Sequence, residues 1–246
     1  MKTKDVMKRQ ILTLIICLFA ASLFAQKGDV NILLITGGHK FDEEAFFQMF
    51  GSLKGVSYTH AQQPEANELY DQEEMEKYDV LVFYDMWKVI EDDQKQAFVN
   101  LLKKGKGIVF LHHSLVSYQD WPEFKNILGG KYHQGNKKNE VASANKSTFK
   151  HDVDIDVTIK DKRHFITKGM KDFTVFDEVY GNFEVLDTVH PLIATDHPES
   201  SPLIGWANIY EKSRIVYLQP GHGPQIFTNP NYLRLLLRSI LWVSQN

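Results

Sequence analysis

Residues 30–42 read VNILLITGGHKFD, and this stretch decides the architecture. Val30–Thr36 is a continuous apolar run that ends in Gly37-Gly38, the pattern of a strand buried on both faces. A helix is expected next, over Asp42–Leu53. Its apolar residues Phe46, Phe47, Phe50 and Leu53 recur at helical spacing, and Asp42 is placed to cap it.

The same alternation continues downstream. Val56–His60 reads as a short strand, Asn67–Lys77 as a polar helix, and Val80–Tyr84 as a second buried strand. Glu91–Lys104 is an amphipathic helix stopped by Gly105, and Ile108–Leu111 is another buried strand. Strands alternating with helices at this spacing give βαβ units and a parallel sheet. The second half reads differently. Lys131–Lys150 is polar and is expected to be a long loop, whereas Asp152–Ile159 alternates strictly, as a half-exposed strand does. Phe173–Tyr180, Leu192–Thr195, Leu203–Trp206 and Arg214–Leu218 follow as strands, and Tyr232–Val243 as a closing helix. The expected fold is α/β: a mostly parallel, flavodoxin-like sheet flanked by helices, with antiparallel strands added in the C-terminal half. No linker rich in Pro, Gly or Ser divides residues 29–245, so they read as one domain.

In an open parallel sheet, ligands bind beyond the carboxyl ends of the strands. Those ends carry Gly37-Gly38-His39, Asp85-Met86-Trp87, His112-His113-Ser114 and Pro220-Gly221-His222. Three of the four hold histidine, although the chain has only 10. His39 and His222, each beside glycine, are the clearest candidates. His112 and His113 would face opposite sides of a continuing strand, which leaves one of them for structure. His60, His151 and His197 lie in polar, surface-like contexts and receive no role.

Glu178, set among Phe176, Val179 and Tyr180, is a carboxylate whose burial would bring it into acid–base range. His39, His113, Glu178 and His222 also have suitable donor atoms for zinc or a similar divalent ion, although no metal-binding spacing motif is present. A GxSxG nucleophile elbow is absent. Asp177 and Glu178 would alternate faces on a strand, so they do not form the spaced carboxylate pair that glycoside hydrolysis needs.

Composition narrows the class further. The 28 basic and 31 acidic residues give no electrostatic reason to expect nucleic acid as a partner. At the N-terminus Lys2, Lys4, Lys8 and Arg9 precede an apolar run over Ile11–Ala21, and Leu23-Phe24-Ala25 offers a cleavage site. Residues 1–25 are expected to be a signal peptide. The run is shorter than the ~20 residues a bilayer span requires, so no membrane span is expected after cleavage, and the protein would be periplasmic or secreted. The single cysteine, Cys17, would leave with the signal, removing thiolate chemistry from the mature form.

Several segments taken in order resemble the trehalose-utilisation, or ThuA-like, family, whose fold is related to the class I glutamine amidotransferases. They are ILLITGGHKFD (32–42), GKGIVFLHH (105–113), WPEFKNILGG (121–130), HFITKGM (164–170), FDEVY (176–180) and RIVYLQPGHG (214–223), followed by the helix through Trp242. In an amidotransferase the turn after the strand equivalent to Ile108–Leu111 presents a catalytic cysteine. Here that turn is His112-His113, so thioester chemistry is not available.

The resemblance implies a carbohydrate substrate such as a 3-keto-glucoside. A ketone acidifies the neighbouring C–H bonds, and a positioned base can remove that proton to start isomerisation, epimerisation or elimination. On this reading His113 or Glu178 is the base, and His39 and His222 orient substrate, steady the enediolate or hold a metal. Gly38, Asp42, Trp87, His112, Trp121 and Tyr180 are the expected substrate contacts, the two tryptophans by stacking on a sugar face. The competing readings are a core role for the tryptophans, a helix cap for Asp42, and a non-catalytic sugar-binding protein.

Overall fold

The computed structural model describes residues 29–134 and 146–245. The expected signal segment and the middle of the expected Lys131–Lys150 loop lie outside the described residues.

The sequence builds one large sheet whose central strands are apolar on both faces and whose outer strands are partly exposed. Its strands are β1 (Val30–Gly37), β2 (Val56–Gln62), β3 (Val80–Asp85), β4 (Gly107–Leu111), β6 (Thr148–Ile159), β7 (Phe173–Gly181), β9 (His190–Ala194), β10 (Leu203–Tyr210) and β11 (Ser213–Leu218). Two short strands, β5 (Gly130–Lys131) and β8 (Glu184–Val185), pair separately. The nine-stranded order is β2-β1-β3-β4-β11-β10-β9-β6-β7. Pairing is parallel from β2 through β11 and antiparallel from there to β7.

Side chains alternate along each strand, so the central strands feed two cores, whereas β6 buries only Ile155, Val157 and Ile159 on one face. Ile32 and Leu34 of β1 meet Phe46 and Phe50 of α1 (Glu43–Ser52), together with Phe227 of α4 (Pro224–Phe227) and Leu236 and Ile240 of α5 (Pro230–Val243). Leu33 and Ile35 point the other way, toward Phe98 and Leu102 of α2 (Asp92–Lys104) and Ile127 of α3 (Phe124–Leu128). The helix ends follow their capping residues. Glu91 and Gln94 form a capping box on α2, Gly105 closes it at φ +93°, and the Asn229 side chain accepts the amides of Asn231 and Tyr232 at the start of α5. Among the described residues, no helix is long and apolar enough to cross a membrane.

Two local expectations are corrected. Asn67–Lys77 does not form one helix but two short 3-10 turns, Glu65–Leu69 and Glu73–Lys77, because it lacks an apolar stripe to hold a full helix against the core. β6 starts at Thr148 rather than Asp152. A register shift between Lys150 and Val153, with Asp152 at φ +58°, breaks the alternation there and hides the first turn of the strand in the sequence.

This topology creates a crevice. From β1 the chain crosses to β2 on one side and then to β3 on the other, so loops leaving β1 and β3 diverge at their carboxyl ends. The amide of Met86 donates to the carbonyl of Gly37 at 3.0 Å and ties the two loops together at that point. Gly38, at φ +84°, lies so close that a Cβ there would sit 1.8 Å from the Met86 carbonyl oxygen.

Candidate functional site

A cavity of about 620 Å³ opens over the carboxyl ends of β1, β3, β4 and β11, and β6 and β7 supply its far wall. His39, His113, His151, Glu178, Tyr180 and His222 line its polar floor. Trp87 and Phe149 stand at its mouth, 55% and 60% exposed, which leaves both rings free to meet a ligand. Trp87 adopts φ +58°, a backbone state that costs energy for a bulky residue and is found where a site holds it.

The chain leaves β4 through a 3-10 turn, His112–Val116, with His112 at φ +48°. That turn departs from strand alternation. His112 swings toward β11 and β7, where its Nδ1 meets the Gln219 carbonyl at 2.6 Å and its Nε2 meets Glu178 Oε2 at 2.8 Å. The Tyr180 hydroxyl also lies 2.9 Å from Nε2, and the Tyr217 hydroxyl donates to the His112 carbonyl at 2.9 Å. His113 points into the cavity instead, 2% exposed, packed on Tyr84 with ring centres 4.3 Å apart and on His39 at 5.2 Å. Among the described residues neither of its ring nitrogens has a hydrogen-bond partner, nor has Nδ1 of His39.

Glu178 is the electrostatic centre. Its Oε2 lies 3.0 Å from His222 Nδ1 and its Oε1 lies 3.3 Å from His151 Nδ1. Burial would raise its pKa, but the imidazoles of His112 and His222 against it outweigh that and hold the carboxyl well below the usual range. The hydrogen bond to Glu178 in turn carries His222 above its ordinary value against the effect of burial. His113 moves the other way: burial, then the neighbouring imidazoles, push it well below its ordinary value, so at neutral pH it is a neutral acceptor. Asp177 faces away from the floor. Its carboxylate accepts the amides of Gly221 at 2.6 Å and His222 at 3.0 Å and fixes the loop that carries His222.

The expected residues therefore divide. His39, His113, Glu178, Tyr180, His222 and Trp87 meet at one cavity, and His112 lies beneath it, in contact with Glu178. Gly38 shapes the turn before His39 through its backbone alone. Asp42 is corrected to a helix cap: it accepts the Ala45 amide at 3.0 Å and does not line the cavity. Trp121 is corrected to a core residue, packed on Phe98, Tyr118 and Phe124 on the far side of the sheet. The expected metal set changes too. The donor atoms that converge within 4.8 Å belong to His112, Glu178 and His222, because the turn after β4 sends His112 inward and leaves His113 facing the cavity.

His151, Tyr132 and Phe149 were missed. His151 stands beside Glu178 with its ring 4.7 Å from that of His222. It sits in the part of β6 that precedes the bulge, where no periodic signal marks a strand.

Comparison with known proteins agrees with this fold. A family profile described as trehalose utilisation, ThuA, matches residues 31–243. No curated protein matches the chain. Among solved structures, a ThuA-like protein from Parabacteroides merdae superposes with a TM-score of 0.74 at 17% identity, covering 88% of this chain and 90% of that one. One from Bacteroides uniformis gives 0.66 at 19% identity, covering 88% and 92%. A cytoplasmic protein of Salmonella typhimurium LT2 gives 0.60 at 10% identity, covering 86% and 99%. At such identities the likeness concerns the fold.

Proposed function

The chain belongs to the trehalose-utilisation (ThuA) family, whose role lies in carbohydrate metabolism, and on that footing we propose that it is an exported enzyme that abstracts a proton next to the carbonyl of an oxidised glycoside, such as a 3-keto-glucoside. The observation that carries this reading is the floor of the cavity. A neutral, unpartnered imidazole, His113, faces a space bounded by His39, His222 and Glu178. Glu178, engaged by His112 and His222, is a poor base, so the proton falls to His113.

A ring nitrogen of His113 takes the proton from C2, the C–H electron pair moves into a C2–C3 double bond, and the ketone oxygen becomes an enediolate oxygen. His39 and His222 flank that space to steady the new charge. Returning the proton to the opposite face gives an epimer, and expelling the oxygen at C1 gives elimination. Trp87 and Phe149 supply apolar faces for the remainder of the glycoside. Hydrolysis of an unoxidised glycoside is less well supported, since Asp177 is committed to the amides of Gly221 and His222. The N-terminal pattern of residues 1–25 supports export.

The test is product analysis by proton NMR with a 3-keto-glucoside and with its unoxidised parent. The expected result is consumption of the keto-sugar alone, lost in His113→Gln while that variant still binds it. Tight binding of either sugar with no consumption by the wild-type protein would support a non-catalytic sugar-binding protein instead, a role the exposed Trp87 and Phe149 would serve equally well.

A further inference from the structure

We infer that His112 Nε2, Glu178 Oε2 and His222 Nδ1 are the three protein ligands of a divalent metal ion of the zinc type, with an open position toward the cavity. Nδ1 of His112 lies 2.6 Å from the Gln219 carbonyl oxygen, which can only accept, so Nδ1 carries the hydrogen. Nε2 of the neutral ring then presents a lone pair. That lone pair is aimed at a carboxylate oxygen 2.8 Å away and at His222 Nδ1, 3.1 Å away, which itself lies 3.0 Å from the same oxygen.

The Tyr180 hydroxyl, 2.9 Å from Nε2, supplies one proton, and His222 can direct one at Glu178. Neither falls between Nε2 and Oε2. Two lone pairs at that separation need a positive centre between them, which is either an extra proton on His112 or a metal ion. Zinc bound tetrahedrally at ~2.0–2.1 Å separates its ligand atoms by roughly 3.3 Å. The three donors would therefore move apart by only a few tenths of an ångström.

The surroundings favour the ion. Metal-ligating histidines hand their other ring N–H to a carbonyl or carboxylate, as His112 does to Gln219. Asp177 clamps the Gly221 and His222 amides, and His151 faces the second oxygen of Glu178, so each ligand is oriented by a partner outside the trio. Independently, His113 is almost wholly buried beside His112, both its ring nitrogens lack a partner among the described residues, and its ring centre lies 5.2 Å from that of His112. Two histidines and one glutamate with an open position is a catalytic rather than a structural donor set. The inference rests on donor geometry in the cavity of the proposed function, where the ion would polarise the ketone oxygen, and not on that function being correct.

The test uses the full mature chain and metal ions alone as probes. Protein purified without chelator is assayed for metal by mass spectrometry, then stripped and titrated with Zn²⁺ by calorimetry and with Co²⁺ by visible absorption. The expected result is one equivalent per chain and a cobalt spectrum of four- or five-coordinate type. In His222→Ala, whose ring is the most exposed of the three, affinity should fall by about 100-fold or more. Circular dichroism shows whether that variant folds, and the cobalt spectrum of the wild-type protein stands without it. Wild-type protein that takes up no zinc, or His222→Ala that binds it as tightly, would overturn the assignment and leave a protonated His112 paired with Glu178. Metal bound with no turnover of keto-sugar would keep the assignment and remove the proton-abstraction reading.

Discussion

Asp85, at the carboxyl end of β3, is fully buried, and one of its carboxyl oxygens accepts from Ser117 Oγ at 2.8 Å and Ser114 Oγ at 3.2 Å. Among the described residues its other oxygen has no hydrogen-bond partner. Burial pushes the carboxyl from 3.8 up to about 7, against the pull of the two serines. A gap of about three pH units at ~1.4 kcal/mol each is about 4 kcal/mol, taken as an upper figure.

The sign follows from proton counts. Below pH 4 folded and unfolded chains both hold the proton, and Asp85 contributes no pH dependence. Between pH 4 and 7 the folded chain keeps a proton that the unfolded chain has lost, so stability falls as pH rises. Above pH 7 both are ionised and the cost is complete. Some 2–3 kcal/mol of it, roughly, falls between pH 5 and pH 8. Asp85→Asn imitates the protonated acid and does not titrate. Urea unfolding at pH 5 and pH 8 should show the variant gaining on the wild-type protein by about 2 kcal/mol between the two. An equal difference at both pH values would refute the reasoning.

Two further outcomes follow from the site. Trp87→Ala combined with Phe149→Ala should raise KM for a two-ring glycoside more than for a single-ring one, by roughly tenfold for one stacked ring worth about 1 kcal/mol or a little more; equal effects on both substrates, in steady-state kinetics, would return the two rings to the role of bystanders. Gly38→Ala forces a Cβ to 1.8 Å from the Met86 carbonyl oxygen at φ +84°, so it should lower thermal stability by at least about 2 kcal/mol and displace His39, and a variant of unchanged melting midpoint would contradict that packing.

How far the sequence could be read depended on whether local pattern and local geometry agreed. β1, β3 and β4 were legible because both faces are buried and each run is unbroken, and His39 and His222 because each follows glycine where a strand ends. The division of labour between His112 and His113 was not. A residue at φ +48° cancels the alternation that would place them on opposite faces of a strand, and only the turn decides which ring goes inward. His151 was hidden by the bulge at Asp152, which removes period-2 signal just where β6 reaches the cavity. Trp121 misled for the opposite reason: a large aromatic fits a core as well as a sugar face, and its contacts with Phe98 of α2 and Phe124 of α3 are tertiary ones that no local pattern reveals.

Solvent exchange at the carbon beside the ketone tests the central claim most directly. The protein is incubated in D₂O with a 3-keto-glucoside, and the C2 proton signal is followed by NMR against a protein-free control. The account predicts that the wild-type protein speeds loss of that signal and that His113→Gln reduces the rate to the control. Unchanged C2 signal in the presence of folded wild-type protein that binds the sugar would contradict it.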